Sequence, residues 1–252
     1  MYVSKKLVYL QMQKTGSTHV TRVLKQYCKG KTRERHEQLE DYEAYRNRLI
    51  VSSVRNPWDW YVSMWAYSIK QPNVLFFRDV RKVLGPEGAK KLFDNENPKE
   101  SFATWLKALS DPKFLNDVMI GHPYSKTSLN QFLGFYSYRF MRVTTPHPAL
   151  AMHRWNIRDM DQAIKHQKRW ALYDKVFKSE TLTEDFAQFV LENQERLGFK
   201  AKAKKILEKN APTPKNASNR TLSTYRDYYT DELRDLVATR DRLVIELFGY
   251  EF

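Results

Sequence analysis

Two short runs hold the residues best suited to grip an anion. The first is Lys14-Thr15-Gly16-Ser17-Thr18, which packs a lysine, a glycine and three hydroxyls into consecutive positions. The second is Arg55, followed at once by Asn56-Pro57 and, eight residues on, by Ser63. Each run sits where a strand pattern gives way to a helix pattern. Lys6–Met12 is apolar and β-prone, and Val20, Val23, Leu24 and Tyr27 then recur at helical spacing. That spacing predicts a helix from Ser17 or Thr18. Leu49–Val54 is the second strand pattern. Asn56 reads as an N-cap and Pro57 as the first residue of an aromatic-rich helix reaching Ile69. A loop that opens a helix presents N–H groups without intrahelical partners, and the helix dipole adds partial positive charge there. Lys14 and Arg55 add full charges. Such positions suit phosphate.

The first loop is not a Walker A motif, because its lysine precedes the only glycine instead of following a second one. Taken singly, each residue has an ordinary alternative. Lys14 could be solvated on a turn, Arg55 could form a strand-end ion pair, and Ser63 could be a helix-surface hydroxyl. Ser63 lies two turns beyond Pro57, roughly 9 Å along the axis, within reach of a group at the helix start. Two strand–switch–helix units in succession predict an α/β fold with a central parallel sheet flanked by helices. Ligands of such sheets bind beyond the strand C-termini, where both runs fall.

The rest of the chain must support that edge. Its 252 residues, 42% hydrophobic, are enough for a sizeable core, and we read residues 1–252 as a single domain. The 14% aromatic content is globular, not disordered. No apolar run approaches a membrane span and no signal peptide opens the chain, so a soluble cytoplasmic protein is expected. Cys28 is the lone cysteine, which rules out an intramolecular disulfide and points to a reducing compartment. The net charge of +14 favours a polyanionic partner: nucleotide, nucleic acid, acidic glycan or anionic membrane. Asn97-Pro98 opens a helix to Leu109, and Ser137–Val143 reads as a strand. A mixed helical stretch covers Ala149–Lys168, and Tyr173–Ser179 reads as another strand. Thr181–Glu184 has the pattern of a capping box for a helix closed by Gly198. Lys29–Arg35 and Lys200–Thr221 read as basic connections. Thr230 caps a final amphipathic helix.

Together the two runs resemble the sulfotransferases that use 3′-phosphoadenosine 5′-phosphosulfate (PAPS), in particular carbohydrate-type and bacterial members. Lys14–Thr18 is similar to their 5′-phosphosulfate loop, and Arg55 with Ser63 to their 3′-phosphate site. Phe177–Leu182, Glu184-Asp185-Phe186, Asn216-Ala217-Ser218, Tyr228–Leu233 and Phe248–Phe252 resemble later segments of that group. Gln13 and His19 depart from it, standing where proline and an aromatic or aliphatic residue are usual. The resemblance implies a P-loop-like sulfotransferase fold and transfer of a sulfonate from PAPS to a hydroxyl, with a saccharide as the expected acceptor. It implies a nucleotide site of Lys14, Thr15, Gly16, Ser17, Thr18, Arg55 and Ser63, joined by Asn216, Ser218 and Arg220 from a segment that folds over the nucleotide. It also suggests a bacterial or viral source, since the anchored eukaryotic members carry an N-terminal span.

Sulfuryl transfer asks for positioning and charge neutralisation. Lys14 is placed to neutralise the leaving oxygen, and no Cys/His cluster of metal-ligand spacing calls for a metal. The acceptor's proton needs a base. His36 is the first choice, in an Arg-His-x-x-x-x-x-Tyr setting similar to the Lys-His segment of bacterial and uronyl-type members, with Glu34 and Glu37 as rivals. The other histidines read as structural. Two other classes stay open at this point. A kinase-like nucleotide enzyme would use the same loop, and a basic nucleic-acid-binding protein would make Lys14 and Arg55 incidental. Trp58 reads as packing, with adenine stacking as its alternative.

Overall fold

Leu7-Val8-Tyr9-Leu10 and Leu49–Val54 are buried at every position, as strands covered on both faces must be. They pair in parallel, Leu7 opposite Leu49 and Leu10 opposite Ser52, and the Ser52 hydroxyl donates to the Leu10 carbonyl at 2.9 Å. The computed structural model describes residues 1–33, 36, 38–39, 42–71, 75–120, 122–146, 157–198 and 220–252. In chain order it contains β1 (Tyr2–Ser4), β2 (Leu7–Leu10), α1 (Ser17–Tyr27), β3 (Gly30–Thr32), β4 (Leu49–Val54), α2 (Pro57–Lys70), α3 (Leu75–Leu92), α4 (Pro98–Ser110) and α5 (Pro112–Val118). There follow α6 (Phe135–Thr144), α7 (Met160–Trp170), β5 (Lys175–Lys178), α8 (Leu182–Glu192), α9 (Gln194–Leu197), α10 (Asp231–Arg240) and α11 (Arg242–Phe248).

The chain divides into two compact units: Met1–Arg55 with Phe140–Pro148 and Gln167–Lys215, and Asn56–Arg139 with Ala149–His166 and Asn216–Phe252. The first unit holds a five-stranded sheet in the order β3-β1-β2-β4-β5. Only β2, β4 and β5 are parallel; β1 runs antiparallel to both its neighbours. The expected parallel sheet is therefore a mixed one. β1 and β3 have three residues each, and β3 (Gly-Lys-Thr) lies at the exposed edge, so no apolar alternation announced it. One face of the sheet is packed by α1 and α8, whose Val20, Val23, Leu24, Phe186, Phe189 and Val190 join Tyr9, Val51 and Phe177 in one core cluster. Each such fully buried side chain contributes about 1.5–3 kcal/mol relative to leaving it in water.

The second unit is helical around an aromatic core. Trp60 stacks on Tyr136 at 4.5 Å between centroids, and Trp65 meets Phe102 edge-on at 5.9 Å. Asp241 interrupts the expected final helix, giving α10 and α11. Its buried carboxylate accepts from Tyr61 Oη at 2.7 Å and from the Ser137 amide at 2.8 Å. Thr230 caps α10 as read, accepting from the Leu233 amide. The strand expected at Ser137–Val143 is instead part of α6. Its aromatic and branched residues are buried on nearly all sides, and burial all round erases the periodicity that separates a helix from a strand. The capping box at Thr181 does not form, because its hydroxyl donates to Asp185 at 2.8 Å; Gly198 does close α9 in the left-handed conformation.

Candidate active site

The C-terminal ends of β2 and β4 lie side by side, so the loops that leave them are neighbours in the first unit. Leaving β2, the chain turns through Lys14 at φ 59° and Gly16 at φ 77°, both left-handed. For lysine this conformation is uncommon and is held only where surroundings demand it. Gly16 has no alternative: a Cβ there would run into Leu182 of α8, besides disliking the φ. Thr15, between them, is fully buried. Its hydroxyl donates to the Met12 carbonyl at 3.1 Å and meets Ser53 Oγ at 2.7 Å, and Ser53 Oγ lies 2.7 Å from Tyr9 Oη. One proton per hydroxyl sets the direction: Tyr9 donates to Ser53, Ser53 to Thr15, and Thr15 to the carbonyl. The chain of hydroxyls pins the loop to the sheet. Burial also holds the Tyr9 phenol well above the usual tyrosine range, so it stays protonated.

Helix α1 starts at Gly16 with no side-chain cap and no acidic residue in its first turn. The Gly16 carbonyl accepts from the His19 and Val20 amides, so the Ser17 and Thr18 N–H groups precede the intrahelical ladder. Arg55, immediately after β4, reaches across and donates from Nη1 to the Lys14 carbonyl at 3.2 Å. The two cationic runs of the sequence thus touch.

His36 approaches the same edge. Its Nδ1 lies 2.9 Å from the Gln11 carbonyl, an acceptor only, so Nδ1 carries the proton and Nε2 is the basic nitrogen of the neutral ring. His36 is the other non-glycine residue with positive φ, 62°, among the described residues. A cavity of about 290 Å³ opens here, lined by Gln11, Thr18, Thr21, Arg22, Lys25 and His36, together with Ser17. Glu34 and Glu37, the rivals for the base, lie outside the described residues.

Lys14, Thr15, Gly16, Ser17, Thr18, Arg55 and His36 are therefore gathered in the first unit. Ser63 and Arg220 belong to the second. Ser63 is buried in α2, which excludes a solvated surface hydroxyl. Asn56 caps α2, its Oδ1 accepting from the Trp58 and Asp59 amides. Arg220 is paired with Asp59 of that first turn, Nη2 to Oδ1 at 2.6 Å. Asn216 and Ser218 lie outside the described residues. Trp58 is packed edge-on against Phe252, and its indole N–H donates to the Arg234 carbonyl at 3.0 Å, the packing reading. His19 and His166 are held below the ordinary histidine value by burial, His19 also by the charge of Arg22. His147 and His153 are outside the described residues.

Sequence reasoning missed Tyr9, Ser53, Gln11, Thr21, Arg22 and Lys25. For the last three a signal existed: with Thr18 they fall at i, i+3, i+4 and i+7, one face of a helix whose opposite face carries the apolar residues.

A model of the sulfotransferase family matches residues 2–251, essentially the whole chain. The chain belongs to that family. No curated protein and no solved structure matches it. The sulfotransferase is thus a transferase by family, with an α/β fold built on a mixed sheet. Among its described residues no helix is long and apolar enough to cross a membrane, and no group of three or more His, Cys, Asp or Glu is arranged to hold a metal ion.

Proposed function

We propose that this sulfotransferase moves a sulfonate from PAPS to a hydroxyl of a saccharide acceptor. The observation that carries the reading is the Arg55–Lys14 contact, which joins two cationic loops at one sheet edge. A donor with phosphate at both ends of its ribose needs two anion cradles. The fit is supported by the uncapped start of α1, the left-handed turns at Lys14 and Gly16, and the hydroxyl chain that fixes the loop between them. The loop would serve as a P-loop-like cradle through the amides of Thr15, Gly16, Ser17 and Thr18, with Lys14 adding charge. Arg55 can grip the 3′-phosphate bidentately. Ser63, Ser218 and Arg220 are further nucleotide-binding residues by resemblance alone; within the second unit Arg220 is paired with Asp59.

PAPS, when bound, supplies an activated sulfonate and a phosphate leaving group. The chain's own residues do the rest. Lys14 neutralises negative charge gathering near the start of α1. His36, with Nδ1–H fixed on the Gln11 carbonyl, receives the acceptor's proton at Nε2. The ring cannot turn away without breaking that bond.

The test needs no acceptor. At a hundredfold excess over its Kd, 3′,5′-ADP should add about 2.7 kcal/mol of stability. For a chain of this size that is a shift in Tm of several degrees, at roughly 2–4 °C per kcal/mol. ATP and 5′-AMP lack the 3′-phosphate and should shift it much less. Equal small shifts would remove the reading. A preference for ATP with magnesium would favour a kinase-like enzyme, and a response to oligonucleotides alone a nucleic-acid binder.

A further inference from the structure

The cavity beside His36 has a feature that sulfonate transfer alone does not require. Its two outermost walls are cationic: Arg22 and Lys25 stand one turn apart on α1, both exposed. Lys25 has no ion-pair partner among the described residues, and the recorded side-chain contact of Arg22 is with His19 Nδ1 at 3.3 Å, a ring held neutral-leaning by burial and by Arg22 itself. The described residues lining the cavity include no carboxylate. Deeper in, the lining turns neutral and polar. Thr21 donates to the Ser17 carbonyl at 2.7 Å and accepts from Gln11 Nε2 at 2.5 Å. Gln11 is only 3% exposed, and its Oε1 has no hydrogen-bond partner. A buried acceptor left unfilled costs free energy until a donor arrives. His36, half-buried, lines the same cavity.

We propose that this cavity is the acceptor subsite and that it selects an anionic, polyhydroxylated acceptor. Arg22 and Lys25 hold a carboxylate or ester anion, Gln11 and Thr21 meet hydroxyls, and the hydroxyl to be modified faces His36. This rests on the sulfonate-transfer reading above and adds the charge of the acceptor to it. The cavity also takes in Ser17 and Thr18 of the loop, so the acceptor would lie against the donor's cradle with the two cations beyond it. They lie one and two turns along α1 from the loop, on the face turned away from the apolar core. A helix face that is cationic at its rim and hydroxyl-lined at its base fits a sugar acid better than a neutral sugar.

The experiment compares 4-nitrophenyl β-glucuronide with 4-nitrophenyl β-glucoside, which differ in a carboxylate against a hydroxymethyl. Binding to the full chain is measured calorimetrically with 3′,5′-ADP present, and 3′,5′-ADP binding is measured on the same samples. A hydrogen-bonded charge contact should make the glucuronide bind about tenfold tighter or more. The Arg22→Ala/Lys25→Ala double variant, changed only at exposed positions, should bind the two sugars equally, with its 3′,5′-ADP affinity unchanged. Gln11→Leu should weaken both sugars alike. Failure to bind the glucuronide, no preference for it, or a preference that survives the double variant would overturn the inference. If 3′,5′-ADP binds while the preference is absent, the acceptor assignment alone fails. If the preference is present while 3′,5′-ADP does not bind, the donor reading fails instead.

Discussion

Each unit is stitched together by a buried polar network, and the two networks differ in one respect. In the first, Tyr9, Ser53 and Thr15 pass hydroxyl bonds to the Met12 carbonyl, joining residues 38 and 44 positions apart without any charge. In the second, Tyr61 and the Ser137 amide converge on the carboxylate of Asp241, from 180 and 104 positions away. Gly134 is pressed so close to that carboxylate that a Cβ would collide with it. A sealed carboxylate is a strong organiser because its donors have nowhere else to turn, but desolvating it costs free energy. Beneath a loop proposed to hold an anion it would be worse than costly, since it would oppose the ligand. The neutral network fixes the loop and adds no counter-charge beneath Lys14. The proposed functional edge and the structural core thus solve the same packing problem with opposite electrostatics.

If that contrast is right, removing groups at the edge should cost rate, and removing groups in the core should cost stability. The largest effect is expected from His36→Ala, a loss of about 10²–10⁴ in turnover, as is usual for a general base. Nucleotide affinity should stay near that of the parent. A matching loss of 3′,5′-ADP affinity would instead make the ring a prop for the loop through its bond to Gln11. Should the rate survive while Glu37→Gln is inactive, the base is the glutamate. Lys14→Ala should follow, at about 10²–10³ in rate, the cost of one preorganised charge stabiliser. An unchanged rate in a folded variant would remove Lys14 from the chemistry.

Much of that edge could be read from residue order. Strand β2, the start of α1, strand β4 and the Asn56-Pro57 cap each announce themselves, because buried parallel strands are continuous apolar runs and helix starts have their own chemistry. What could not be read is contact. Nothing in the order of residues says that Arg55 touches the Lys14 carbonyl or that Thr15 spends its hydroxyl inward on Ser53. Three-residue strands such as β1 and β3 are too short to show a period. Helix α6 is buried too evenly to show one, and its Tyr, Phe and Val content favoured the strand reading that packing overrode. Arg22 and Lys25 were visible as charges but had no cavity to belong to until α1 and His36 were seen together.

The core side of the contrast is tested by stability. Asp241→Ala would leave the Tyr61 hydroxyl and the Ser137 amide buried without their acceptor, at about 1–3 kcal/mol each. Ser53→Ala strands chiefly the Tyr9 hydroxyl, since Thr15 keeps its bond to Met12, so its cost should be about half as large, roughly 1–3 kcal/mol in all. Urea unfolding of both variants measures the difference. A Ser53→Ala cost equal to or above that of Asp241→Ala would mean that the neutral network, not the charged one, is the main organiser.

The smallest effect is the most specific to the charge itself. Burial holds the Asp241 carboxyl above its ordinary value, and the bonds from Tyr61 and Ser137 pull it back only in part. Between the ordinary carboxylate value and the raised one, the folded chain therefore binds more protons than the unfolded chain. Stability should fall as pH rises through that window. His166 and His19, both held below the usual histidine value, act in the other direction, since stability is lost as pH falls through the value of the unfolded ring. The two slopes oppose each other, so the parent's profile alone decides nothing. The difference between parent and Asp241→Asn isolates the carboxyl: asparagine keeps an acceptor in place but cannot titrate. Relative to that variant, the parent should lose stability steadily as pH is raised from about 4, and the loss should level off once the carboxyl is ionised in the folded chain. Ser53→Ala should run parallel to the parent at every pH, because no charge is involved. A difference curve that is flat for Asp241→Asn would mean that this carboxylate is as well solvated by its two donors as by water, and the electrostatic contrast between the two networks would vanish.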